Sequence, residues 1–306
     1  MAGTGTRLYG QTNDLLCYTR LRIHSRLCWN RQKLKSQPKS LDMLVFAAIT
    51  PHTPLLIPTI GKENLKTLEK TAKALEHLSD ELYLARADTI VVISSHALQH
   101  PDAFSINLHD EYLIEFKEFG DLSVSRELSP DLELIAQIQR HMREEKIPFT
   151  LNSCASLDYG SGVPLFYLTQ GQDVRVVPVA YSNLSAREHL KFGTALKEVI
   201  DRSDKRIAVV ASGDLSHCLA TVSPLGFRPE GELYDTAAQT AVKNFSISTI
   251  LSLEPETVTM SGQCLNEQLL VLFGVLEKKN VRPEILSYEA PLGVGYLVAQ
   301  FHLKDL

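Results

Sequence analysis

Short, almost uninterrupted apolar runs, separated by longer amphipathic stretches, constrain this chain more than any other feature. Leu44–Ile49, Thr89–Ser94, Val174–Ala180, Arg206–Ala211 and Val294–His302 each read as a strand. A strand apolar at consecutive positions shows oily side chains to both faces, so both faces need cover. Between these runs the apolar residues recur at helical spacing. Lys62–Leu84 carries Leu65, Leu68, Ala72, Leu75 and Leu78 in this way. Pro130–Glu145, Ala186–Ile200, Leu233–Asn244 and Gln268–Lys278 also read as helices, with Pro130 suited to a first turn. This alternation predicts a single α/β domain with a mostly parallel central sheet and helices on both faces.

The domain is expected to span 43–306. Residues 1–42 hold eight Lys/Arg against two Asp, a net of +6, which leaves −11 for the remainder of a chain whose total is −5. That basic leader shows neither helical nor strand periodicity. It reads as a disordered arm, a targeting presequence or the product of an upstream start codon, with Met43 the preferred beginning of the domain. The overall acidic balance gives no footprint for nucleic acid. No apolar run reaches the roughly 18 residues of a membrane-spanning helix. The five cysteines are scattered without a CxxC, which predicts reduced thiols in a cytoplasmic setting. Phosphate-cradling loops of the GxxxxGK[ST] or GxGxxG kind are absent from the sequence, which weighs against a nucleotide cofactor.

In parallel α/β sheets, sites form where loops leave the carboxyl ends of strands. Three of the ten histidines occupy such places: His52 after LVFAAITP, His96 after TIVVISS and His217 after RIAVVASGDLS. His100 is close enough to His96 to stand on a site rim. A rigid strand end can hold imidazole to the tolerance a metal demands, and imidazole suits Fe, Zn, Cu and Ni. By spacing alone Asp214, Asp158, Glu267, Glu289 and Cys264 all remain open as a third ligand. Glu267 and Cys264, three apart, would share a face if both lay on one helix. Cys264 reads equally well as a buried inert thiol.

Six segments in order resemble the class III extradiol dioxygenase superfamily, the LigB type, in the branch close to Memo-like proteins. They are ITPHTPLLIP (49–58), VVISSHALQ (91–99), LDYGSGVPL (157–165), VVASGDLSH (209–217), SGQCLNEQLLVLFG (261–274) and PLGVGYLVA (291–299). The resemblance implies His52 and His96 as metal ligands, Glu267 or Cys264 completing the set, and His217 as the acid–base residue. It implies Fe(II), with Zn or Cu as other occupants, and ring cleavage of a catecholic diol by dioxygen. Asp214 is expected to orient His217. Tyr159 stands where ring-cleaving members carry a histidine; a tyrosine can donate a hydrogen bond there but cannot take up a proton near neutral pH. Gly160 and Gly162 are expected to let the backbone pass close to substrate.

Two other readings compete. A Memo-like metal-binding adaptor or redox protein without ring cleavage would act through partners, of which the resemblance implies AMMECR-type or radical-SAM proteins, and a homodimer. A Zn hydrolase ranks below both, because the sequence has no HExxH and no GxSxG.

Overall fold

A computed structural model describes residues 43–304. The expectations for the leader, residues 1–42, lie outside the described residues.

The strands are β1 (Leu44–Thr50), β2 (Thr89–Ser94), β3 (Phe104–Asn107), β4 (Tyr112–Phe116), β5 (Asp121–Leu128), β6 (Phe149–Asn152), β7 (Arg175–Ala180), β8 (Ile207–Ser212), β9 (Val281–Glu289) and β10 (Tyr296–Leu303). Eight form one sheet in the order β6-β3-β7-β2-β8-β1-β10-β9, while β4 and β5 pair as a separate ribbon. The four central strands β7, β2, β8 and β1 are mutually parallel. The flanks reverse: β3 runs antiparallel to β7, and β10 antiparallel to β1. The helices of ten residues or more are α1 (Glu69–Ala85), α2 (Leu132–Glu144), α3 (Tyr159–Leu168), α4 (Ala186–Arg202), α5 (Pro229–Asn244) and α6 (Asn266–Val275).

The continuous apolar runs have a direct cause in this arrangement. In β2, Val91 and Ile93 join one core with Phe192, Leu196 and Leu269 from α4 and α6. Ile90 and Val92 join a second core with Leu75 and Leu78 from α1 and Val163 from α3. β8 divides in the same way, with Val209 in the first core and Val210 in the second. Alternate side chains therefore enter opposite layers, and neither face can be polar.

Three helix readings shift at their ends. The stretch from Lys62 opens as a 3₁₀ turn through Leu68, and α1 proper starts at Glu69. Pro130 lies outside α2, in a bridge with Val176; Asp131 is the N-cap, accepting from Leu134 N at 3.0 Å. α5 begins at Pro229, four residues before the first periodic apolar position, because proline occupies its opening turn.

The crossing of α4 and α6 is unusually close. A Cβ on Gly193 would strike the Val271 carbonyl oxygen and lie 2.9 Å from Gly274 Cα, and one on Gly274 would strike the Leu190 carbonyl oxygen. Two glycines facing each other set how closely α6 approaches α4.

A candidate metal centre at the strand ends

β1, β2 and β8 are adjacent and parallel, so the loops that follow them emerge side by side. This brings His52, His96 and the Asp214–His217 segment to one place. His52 Nε2 lies 3.1 Å from His96 Nε2 and 3.4 Å from Cys264 Sγ. These three ligand atoms form a mutually close group among the described residues. Imidazole bonds of about 2.0 Å and a thiolate bond of about 2.3 Å in a tetrahedral shell imply ligand-to-ligand edges of about 3.3 and 3.5 Å. The observed spacings match those edges closely.

Each member is held from behind. Ser212, at the end of β8, sits 3.2 Å from His52 Nδ1 and donates to the Gly160 carbonyl. His52 N donates to Asp214 Oδ1 at 2.9 Å. Ser94, the last residue of β2, accepts from His96 N at 3.1 Å and donates to Asp158. Asp158 in turn caps α3 through Ser161 N at 3.0 Å. Cys264 is anchored by its own amide, which donates to the Asp214 carbonyl at 3.1 Å, while Sγ accepts from Asp214 N at 3.3 Å.

Burial sets the protonation. His52 is held down at about 3 and His96 at about 4, desolvation being the main cause in both. Both imidazoles are therefore neutral and carry a free lone pair at ordinary pH. Burial pushes the Cys264 thiol up to about 12. Three soft or borderline donors converge with no lysine or arginine between them. A divalent cation fits this set, and its binding would displace the thiol proton. His52, His96 and Cys264 are the residues that would hold it.

Other anticipated residues fall as follows. Glu267 is outside the group; its Oε1 accepts from Asn266 Nδ2 at 3.2 Å. Glu289 accepts from Thr71 N at 2.8 Å and Thr71 Oγ1 at 2.7 Å, away from the histidines. Asp214 is buried and its carboxyl is raised by desolvation, yet its hydrogen-bond partner is the backbone of His52 and not the ring of His217. His217 lines the same cavity, with Nδ1 buried and unpartnered. Tyr159 stacks on His96 at a centroid distance of 4.2 Å, its hydroxyl 2.9 Å from His96 Nε2. Desolvation raises the Tyr159 phenol, so it stays a proton donor. Gly160 is required by packing: a Cβ there would strike Ser94 Oγ and approach His96 Cδ2 to 3.2 Å. His100 instead makes backbone bridges to Ala103 and Ser182 and lines neither cavity beside His96. Ser94, Ser212 and Tyr296, the last a lining residue of the same cavity, were not singled out from sequence. A serine closing each of two buried strands was the available signal.

The group makes the metal-free protein acid-sensitive. Lowered histidine pKa values mean that the unfolded chain binds more protons below about 6.5, so stability falls as pH drops from there toward about 4. The raised Asp214 carboxyl acts in the opposite direction but is one group against two. We expect the thermal midpoint of metal-free protein to decline across that window and the decline to be shallower in His52→Ala, as read by calorimetry. A midpoint flat between pH 6.5 and 4 would contradict the neutral-imidazole assignment.

The fold and the convergent donors define an α/β protein with a group of candidate metal ligands at its strand ends. Residues 46–299 match the family described as the catalytic LigB subunit of aromatic ring-opening dioxygenase, and the chain belongs to that family. Members that are dioxygenases depend on a metal. The chain is 31% identical over 258 residues to Protein CA_C1420 of Clostridium acetobutylicum, covering 81% of this chain but only 55% of that relative's length. It is 30% identical over 187 residues to the Escherichia coli 3,4-dihydroxyphenylacetate 2,3-dioxygenase, covering 58% of this chain and 67% of the relative. The crystal structure of the uncharacterized protein JW3007 from Escherichia coli K12 superposes with a TM-score of 0.60 at 19% identity, over 84% of this chain and 99% of that one, which shows a shared fold alone. Among the described residues no helix is long and apolar enough to cross a membrane.

Proposed function

We propose that this protein is a metal-dependent extradiol dioxygenase that opens a catecholic ring, with His52, His96 and Cys264 holding Fe(II). The convergence of those three donors with His217 and Tyr159 on one cavity carries the reading. Iron held by these residues would supply Lewis acidity toward the diol oxygens and redox capacity toward dioxygen. The chain's own residues do the rest. His217, with Nδ1 shut away from solvent, takes the second hydroxyl proton on its cavity side and returns it to product. Tyr159, kept protonated, donates a hydrogen bond toward the oxygen atoms that gather beside His96. Asp214 fixes the backbone of His52 and so the direction of its ring.

Oxygen uptake by Fe(II)-loaded protein with a panel of small catechols tests this. We expect uptake with wild type, and a loss of about 10²–10⁴-fold in His217→Gln at unchanged iron content, the usual worth of a general acid–base. Wild-type protein with full iron content and no uptake from any catechol would overturn the reading in favour of a metal-binding protein that acts through a partner.

A further inference from the structure

The cavity that holds His52, His96, Cys264 and His217 has a volume of about 600 Å³, more than one aromatic ring needs. What occupies the surplus can be read from its walls. No lysine or arginine lines it among the described residues. Its apolar lining is Leu55, Val222, Pro224, Leu292 and the buried Val294. Val222 is 75% exposed and Leu292 49% exposed, both large apolar side chains left in water beside an opening.

Leu292 is held there at a cost. Its φ is 60°, in the left-handed region, immediately before Gly293 at φ 74°. A leucine in that conformation is strained relative to glycine, and burial in the core does not account for it, since half of the side chain is exposed.

The two helix starts at the cavity, the usual backbone cradles for an anion, are already taken. Asp158 accepts from Ser161 N at 3.0 Å at the head of α3. Gln263 Oε1 accepts from Leu265 N and Asn266 N, both at 2.7 Å, at the head of α6. Lys117 lines the adjoining cavity on the other side of His96 and is ion-paired with Glu115.

We infer that the aromatic diol taken by this site carries an uncharged, apolar substituent, and that Leu292 and Val222 select it against a carboxylated one. The inference rests on the dioxygenase reading above. The E. coli relative is named for a diol with a carboxylate side chain, so the two proteins would divide the substrate class by charge.

Anaerobic calorimetric titration of metal-loaded protein tests it with 4-tert-butylcatechol and 4-methylcatechol against 3,4-dihydroxybenzoate and 3,4-dihydroxyphenylacetate. We expect the alkyl catechols to bind about tenfold or more tighter, the usual worth of extra apolar groups in an apolar pocket. Leu292→Arg should shift the ratio toward the carboxylates by about tenfold, as one charge-assisted hydrogen bond would. Val222→Arg, at a more exposed position, provides the same test if the first variant folds poorly. Carboxylated diols binding as tightly as the alkyl ones to wild type would overturn the inference and leave the dioxygenase reading standing. Binding of neither class would overturn both.

Discussion

Replacing His52 and His96 together by alanine is expected to abolish metal binding and leave the domain folded. Changes to groups that merely support a ligand cost about 10–100-fold in metal affinity, so deleting two of three donors must exceed that. The remaining Cys264 thiol, raised to about 12 by burial, would bind weakly by itself because it must also lose its proton. The fold should survive. Both rings lie just beyond strand ends, and β1 and β2 are secured by Ile49, Val91 and Ile93 in one core and Phe46, Ile90 and Val92 in the other. Elemental analysis after anaerobic purification, with circular dichroism as the folding control, provides the check. A stoichiometric ion retained by the double variant would defeat the assignment.

Gly193→Ala should be the most damaging single substitution away from the site. The added methyl would meet the Val271 carbonyl, and backbone cannot swing aside as a side chain can. Overpacking a core costs about 1–3 kcal/mol when side chains can adjust, and here about 3 kcal/mol or more is expected because α6 itself must move. That movement would carry Leu265 and Cys264, which lie just before Asn266 opens α6, so metal affinity should fall alongside stability. Gly162→Ala is the matched control. Its Cβ would meet only side-chain atoms at ordinary contact, the Phe116 ring at 3.4 Å and Ile114 Cγ2 at 3.6 Å, so stability should change by about 1 kcal/mol or less. Urea denaturation of the two variants separates the outcomes; equal, small losses would show that the crossing is not fixed by its glycines.

The parallel centre of the sheet was legible because each of its strands is apolar at consecutive positions, as only a doubly covered strand must be. β3, β4, β5, β6 and β9 were not. β4 and β5 form a ribbon apart from the sheet, and β6 is four residues long and half-buried throughout. That His52, His96 and His217 meet at one cavity was legible because each follows a buried strand whose carboxyl end opens on the same side of the sheet.

That Cys264 and not Glu267 stands beside His52 and His96 was hidden for a specific reason. Their spacing of three suggests a shared helix face, yet α6 begins at Asn266, so Cys264 is held by the loop and by Asp214 and not by helical geometry. The role expected of Asp214 changed for a similar reason. Three residues from His217 in the chain, it faces His52 across the gap between β8 and β1.

X-ray absorption at the metal edge of anaerobically purified protein reads the ligand shell directly. The shell expected here has one sulfur scatterer near 2.3 Å and two imidazole patterns near 2.0 Å, with the sulfur gone in Cys264→Ala and kept in Glu267→Gln. A shell of nitrogen and oxygen alone, unchanged by the cysteine substitution, would contradict the centre described here.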